Sequence, residues 1–151
     1  MKTLIVCVSE HHGNTAKIAE AMGAVLGASI IEPEALTDGM IGENDLLGFG
    51  SGIYFGKHHK RLIEKSRQLK GNHTRAFLFS TSGVGKVGKL HQVLRKNLEE
   101  RGFEIIADYA CRGFDTFGPL KLIGGINKKR PNDEDLNAAR EFARSIEQIP
   151  G

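Results

Sequence analysis

Seven residues near the start of the chain, Ser9-Glu10-His11-His12-Gly13-Asn14-Thr15, gather hydroxyls, an amide, two imidazoles and a glycine. Before them runs an apolar stretch, Leu4-Ile5-Val6-Cys7-Val8. After them Ile18, Met22, Val25 and Leu26 recur at helical spacing. The pattern reads as a strand, a tight polar loop and a helix N-terminus. The first turn of a helix has N–H groups without intrahelical partners and carries the positive end of the macrodipole. Such a place collects anions, phosphate above all. Gly13 lets backbone approach a ligand closely, and Ser9, Asn14 and Thr15 add side-chain donors. The plainer alternative is an ordinary strand-to-helix turn with Asn14 or Thr15 as its N-cap. Spacing alone leaves both open.

Two further glycine-rich stretches follow strands. In Ser51-Gly52-Ile53-Tyr54-Phe55-Gly56, two aromatics stand in a Gly-flanked loop, suited either to stacking on a flat ring or to lidding the core. Gly83-Val84-Gly85-Lys86-Val87-Gly88 matches GxGxxG, and Asp108 lies about 20 residues further on, where an acidic ribose ligand is expected. That fingerprint normally marks the first strand-helix turn, which here is the Ser9–Thr15 stretch. The same residues read GxxxxGK to Lys89, but Leu90 stands where a nucleotide-hydrolysing loop needs Ser or Thr for Mg²⁺. A mobile glycine loop lining a site built by others is the preferred reading. A phosphoacceptor receiver needs acidic residues after strand one and an Asp ending strand three; only Glu10 is present. His11-His12 and His58-His59 lack a carboxylate at ligand spacing and read as solvated loop histidines rather than metal ligands.

These stretches need a frame to hold them. Strands are expected at Thr3–Val8, Ser29–Ile31, Leu46–Gly50, Ala76–Ser80 and Glu104–Cys111. Helices are expected near Asn14–Leu26, Lys60–Leu69, Lys89–Arg101 and Asp133–Gln148. The region around Pro33 and Gly39 reads as loop, Arg112–Pro119 as loop, and Leu120–Lys129 as a short amphipathic turn. Alternating strands and helices give an α/β fold: a doubly wound five-stranded parallel sheet with helices on both faces. Ligands of such sheets bind beyond the strand C-termini, where all the polar glycine-rich stretches converge.

The 151 residues fit one domain, 1–151, with a core of ordinary size. The net charge of +3 is too small to imply nucleic acid. No apolar run approaches the ~20 residues of a membrane span. The start leads straight into a strand without a charged leader, which favours a cytoplasmic location. Cys7 and Cys111 form no CxxC and read as buried small hydrophobes.

Taken together, these stretches resemble the flavodoxin family. His12-Gly13-Asn14-Thr15 is similar to the end of that family's Ser/Thr-x-Thr-Gly-Asn-Thr phosphate loop. Phe49-Gly50-Ser51-Gly52-Ile53-Tyr54-Phe55-Gly56 is similar to the strand-three loop with its flavin-stacking aromatic, and Ser80-Thr81-Ser82-Gly83 falls where a second ring-contacting loop belongs. The resemblance implies a flavodoxin-like fold and non-covalent FMN. It places the phosphate on Ser9, His11, His12, Gly13, Asn14 and Thr15, and the ring between Ser51–Gly56 and Ser80–Gly83, under Tyr54 or, second, Phe55. His12 departs from the family's Thr, and one extra residue stands between Ser9 and Gly13. The chain also lacks the acidity of electron-carrying flavodoxins, and its Gly50–His59 run is similar to quinone-linked protoporphyrinogen oxidases of the same fold. An electron carrier is therefore expected first, an FMN-dependent oxidoreductase second, and a flavin-free interaction module third. Lys57, His58, His59, Lys60, Arg61, Lys86, Lys89 and Lys128-Lys129-Arg130 suggest a basic rim. The partner is then a redox protein or a small anionic or quinone substrate.

Overall fold

The computed structural model describes residues 1–10, 13–82, 88–112 and 131–150. In chain order the elements are β1 (Thr3–Val8), α1 (Asn14–Leu26), β2 (Ser29–Ile31), α2 (Asp38–Glu43), β3 (Leu46–Tyr54), β4 (Lys57–His58), α3 (Lys60–Ser66), β5 (Arg75–Ser82), α4 (Gln92–Glu100), β6 (Glu104–Arg112) and α5 (Asp133–Glu147). Five strands pair in parallel in the order β2-β1-β3-β5-β6. The two-residue β4 folds back antiparallel on the end of β3. This is the doubly wound sheet that the alternating pattern implies, and its order reverses beside β1.

All six residues of β1 are buried, because helices cover both faces of the sheet. Period-two alternation divides its side chains. Leu4, Val6 and Val8 join Leu47, Phe49 and Leu78 under a layer holding Leu62 of α3 and Leu94 and Leu98 of α4. Ile5 and Cys7 join Phe77 and Phe79 under Ile18 and Met22 of α1 and Ala139, Ala143 and Ile146 of α5. Cys111 is buried in that second layer, and burial pushes the Cys7 thiol up to about 12. Each thiol thus behaves as a small hydrophobe.

The glycines of β3 have a steric cause. Register sets Gly48 opposite Phe77 and Gly50 opposite Phe79 on β5. A Cβ added at Gly48 would meet the Phe77 ring at 2.3 Å, and one at Gly50 would meet the Phe79 ring at 2.2 Å. The rings lie over the bare backbone of the neighbouring strand and stack on each other with centroids 6.1 Å apart.

Several boundaries differ from the sequence reading. β3 does not stop at Gly50 but continues through Tyr54, because its end is paired: Ile53 with His58 and Tyr54 with Lys57. Phe55 (φ 53) and Gly56 (φ 81) form the two-residue turn between them. Positive φ at both central positions matches the twist of a tight hairpin. The Pro33–Gly39 region is not all loop. A 3₁₀ turn covers Pro33–Ala35, and α2 follows, capped by Thr37, whose side chain accepts the Met40 N–H. α3 ends three residues earlier than Leu69, and the segment before α4 opens as a 3₁₀ turn at Gly88–His91. α5 begins with a capping box between Asn132 and Asp135. The expectations for Gly83–Val87, for the loop from Gly113 and for Leu120–Lys129 lie outside the described residues. Among the described residues no helix is long and apolar enough to cross a membrane, and no group of three or more metal-ligating side chains comes together.

Candidate functional site

The C-terminal ends of β1, β3 and β5 lie side by side, with Val8 opposite Ser51, and Ser51 opposite Ser80. Three of the stretches singled out by sequence therefore share one edge of the sheet. At the first, Gly13 occupies the N-cap position of α1 in the left-handed region (φ 65, ψ 24) and contributes no side-chain cap. Neither Asn14 nor Thr15 takes that position, so the plain N-cap alternative does not hold. Instead Ser9, at the strand end, accepts the Ala16 N–H at 3.0 Å. Among the described residues, a Cβ added at Gly13 would meet nothing within 4 Å. Asn14 and Thr15 are buried, and Thr15 Oγ1 shares a hydrogen bond of 2.8 Å with Thr81 Oγ1. That bond ties the helix end to the end of β5. His11 and His12 lie outside the described residues.

At the second stretch, Ser51 is fully buried. Its hydroxyl accepts the His59 N–H at 2.8 Å and donates to the Gly52 carbonyl at 2.7 Å. The Tyr54 ring folds back over Gly52, 3.3 Å from where a Cβ would stand, and meets the edge of His59 with centroids 5.2 Å apart. Ile53 and Tyr54 are half-buried, whereas Phe55 at the hairpin tip is 87% exposed. At the third stretch, Ser80 and Thr81 are buried and Ser82 is half-buried. Gly83 lies outside the described residues.

His58 and His59 are not solvated, which corrects the sequence reading. The hairpin turns the pair inward, and both are buried. His59 caps α3: its Nδ1 accepts the Arg61 N–H at 3.0 Å. Nε2 therefore carries the proton, and it faces Glu10 Oε2 at 3.2 Å. His58 Nε2 lies 2.9 Å from the Phe79 carbonyl, so it too is the protonated nitrogen. His58 Nδ1 is buried with no hydrogen-bond partner among the described residues. Burial, with neighbouring His91 adding to it, holds the His58 imidazole down to about 3.

The His91 ring centroid lies 4.9 Å from that of His58. His91 Nε2 is 2.6 Å from Ser80 Oγ, and Nδ1 is 3.3 Å from Asp108 Oδ2. Arg95 reaches the same carboxylate oxygen at 3.5 Å. Burial lowers the His91 pKa, while Asp108 opposes that shift. Sequence reasoning passed over His91 and weighed Asp108 only as a ribose ligand. Ser80, His91 and Asp108 stand on three different elements, so no local spacing signals that they meet.

Charge at this edge also differs from the basic rim expected. Lys57, Lys60 and Lys89 are exposed. Arg61, however, is engaged by Glu10, Glu32 and Glu34. Its guanidinium holds the Glu34 carboxyl down to about 2. Lys86 and Lys128-Lys129-Arg130 lie outside the described residues.

Comparison with known proteins agrees with this geometry. Residues 5–112 match the family described as the flavodoxin domain. An uncharacterized protein of Methanocaldococcus jannaschii is 44% identical over 147 residues, covering 97% of this chain and 98% of the other. Among solved structures, the Fusobacterium nucleatum flavodoxin bound to flavin mononucleotide superimposes with a TM-score of 0.68 at 11% identity, covering 98% of each chain. A flavodoxin from the domain Archaea gives 0.66 at 16% identity, covering 98% of this chain and 97% of its own. At such identities the likeness of these structures speaks to the fold. The family match spans most of the chain, and it takes in all three stretches at the sheet edge: the chain belongs to the flavodoxin domain family.

Proposed function

We propose that this protein binds FMN non-covalently and transfers electrons through it. The observation that carries the reading is the glycine N-terminus of α1. Gly13 is left-handed there, no described residue lies within 4 Å of where its Cβ would stand, and Thr15 is tied to Thr81 at the same edge as the aromatic hairpin. The residues fit the cofactor. A helix N-terminus with glycine at its N-cap position and the Ser9 hydroxyl bonded into its first turn suits a phosphate dianion. In this reading Ser9, His11, His12, Gly13, Asn14 and Thr15 hold the phosphate. The ring lies between Ser51–Gly56 and Ser80–Gly83. Tyr54 is the stacking residue, because its ring is already fixed over Gly52 and against His59 and loses little freedom on binding. Bound FMN supplies one- and two-electron chemistry, while the protein sets orientation and access.

The chain's own residues also shape what meets the flavin. The exposed Phe55 tip and Lys57 and Lys60 stand next to the ring site, and Arg61 is tied up by carboxylates. The partner is a redox protein or a small anionic or quinone substrate that approaches this hairpin. The single test is the visible absorption spectrum of the purified protein, followed by titration of the flavin-stripped protein with FMN. Flavin bands in the purified protein and saturable quenching of FMN fluorescence are expected. A colourless protein that leaves FMN fluorescence unquenched would overturn the reading.

A further inference from the structure

The two segments assigned to the ring are joined from below by buried imidazoles. His58, on the hairpin strand β4, donates to the Phe79 carbonyl of β5. His91, just before α4, bonds Ser80 of β5, and its ring lies against His58. Asp108 on β6 and Arg95 on α4 close the set on the side nearer solvent. Among the described residues, His91 meets His58 from β4 and Asp108 from β6, and Arg95 from α4 reaches it through Asp108.

The hydrogen bonds fix the protonation pattern. An ionised Asp108 carboxylate only accepts, so His91 Nδ1 carries a proton. In the neutral imidazole Nε2 is then the acceptor, and Ser80 must donate its O–H to it. Ser80 is fully buried at the start of the proposed ring-contacting loop, and the next residue, Thr81, is held by Thr15. A second proton on His91 would turn Nε2 into a donor. The Ser80 O–H would lose its acceptor inside a buried site, next to a His58 that is itself neutral. An unmade buried hydrogen bond of this kind is costly.

We propose that His91 is a positioning residue of this pocket, acting through Ser80, and that its neutral imidazole is the form in which the ring-facing segments are held for the flavin. The inference rests on the FMN reading. Covering the pocket with a ring desolvates it further, which disfavours the charged imidazole in the same direction. Linkage then requires two reciprocal effects: acid weakens FMN binding, and FMN binding lowers the His91 pKa.

The experiment measures FMN affinity by fluorescence quenching at pH 7.5 and pH 5.0 for the parent protein, His91→Gln and His91→Leu. Gln can accept from Ser80 and donate to Asp108, yet it takes no proton. His91→Gln is expected to bind within a few-fold of the parent at pH 7.5, whereas His91→Leu binds markedly more weakly. Between the two pH values the parent should lose severalfold more affinity than His91→Gln; a one-unit pKa difference between free and bound states sets a ceiling of about tenfold, reached only below both midpoints. Comparing the two cancels the ionisation of the FMN phosphate itself. The ¹⁵N NMR titration of His91 in the parent protein, with and without FMN, is the second measurement and needs no variant. A lower midpoint in the bound form is expected. Parallel pH profiles for parent and His91→Gln, or one His91 midpoint in both forms, would overturn the inference. Absence of FMN binding by the parent at pH 7.5 would instead overturn the cofactor reading.

Discussion

Replacing Gly50 by Ala tests whether the β3 glycines exist to seat the β5 rings. The added Cβ would stand 2.2 Å from Phe79, against an ordinary contact of 3.4 Å or more. The ring must therefore retreat by about 1.2 Å, the difference of the two distances, into close-packed core. Phe79 is fully buried, is stacked on Phe77 and shares its layer with Ile18 and Met22, so that space is filled. Overpacking of this kind costs about 1–3 kcal/mol, and the upper part of the range applies where the ring is hemmed in. Losing a flexible glycine from the unfolded chain returns about 0.4–1 kcal/mol. The net destabilisation should be about 2 kcal/mol. Phe79→Ala alone should cost about 3–5 kcal/mol by opening a cavity. In the double variant no ring opposes the new methyl group. Its cost should fall short of the sum of the two single costs by about 2–3 kcal/mol, the relieved overpacking. Urea denaturation of the four proteins, with equal m-values, measures that coupling. Additivity within about 0.5 kcal/mol would refute the steric account of these glycines.

Three further outcomes follow from the site. Thr15→Val combined with Asn14→Ala removes donors from the helix end and should weaken FMN more than riboflavin; equal losses for both ligands would place the phosphate elsewhere. Tyr54→Ala should cost about tenfold in FMN affinity, since an offset aromatic contact is worth about 0.5–1.5 kcal/mol beyond area burial; parent-like binding by both Tyr54→Ala and Phe55→Ala would remove the ring from the hairpin. Stability should fall with acid through His58, whose pKa in the folded chain is about 3 against an ordinary 6.5. The unfolded chain takes the proton first, so this contribution is complete above about pH 6.5 and is lost as pH falls towards 3. Between pH 7 and pH 5 the loss should be about 2 kcal/mol, with His91 acting in the same direction. Urea midpoints at the two pH values check it, and a flat profile would refute the buried neutral imidazole.

The β1-α1 unit was legible in the sequence because its signals are local. An apolar run meets a polar turn, helical spacing follows, and Gly27 closes the helix. The doubly wound parallel sheet followed from alternation. The hairpin was not legible, since Phe55-Gly56 lacks the Asn-Gly or Asp-Gly signature of a tight turn and Phe55 must adopt a positive φ. α2 was hidden by two glycines in six residues, which local propensity reads as loop. His58 and His59 stand among lysines, so composition placed them in water, whereas cross-strand pairing places them inside. The candidate phosphate and ring segments were found because each follows a strand. The imidazole network beneath them was not, because tertiary contacts alone bring Ser80, His91 and Asp108 together.

α1 is packed against α5, with Ile18 and Met22 in one cluster with Ala139, Ala143 and Ile146. α5 leaves the ribosome after every strand of the sheet. Until it arrives, the outer flank of α1 lacks the cover that α5 gives it, although the strands beneath are already made. That helix end is thus fully buttressed only once residues 133–147 have emerged. A product halted before Asp133 would keep Ser9, the aromatic hairpin and the Ser80–His91–Asp108 set, yet expose an oily flank to chaperones and proteases. Assembly of the anion-binding end is in this sense timed by the helix farthest from it in sequence.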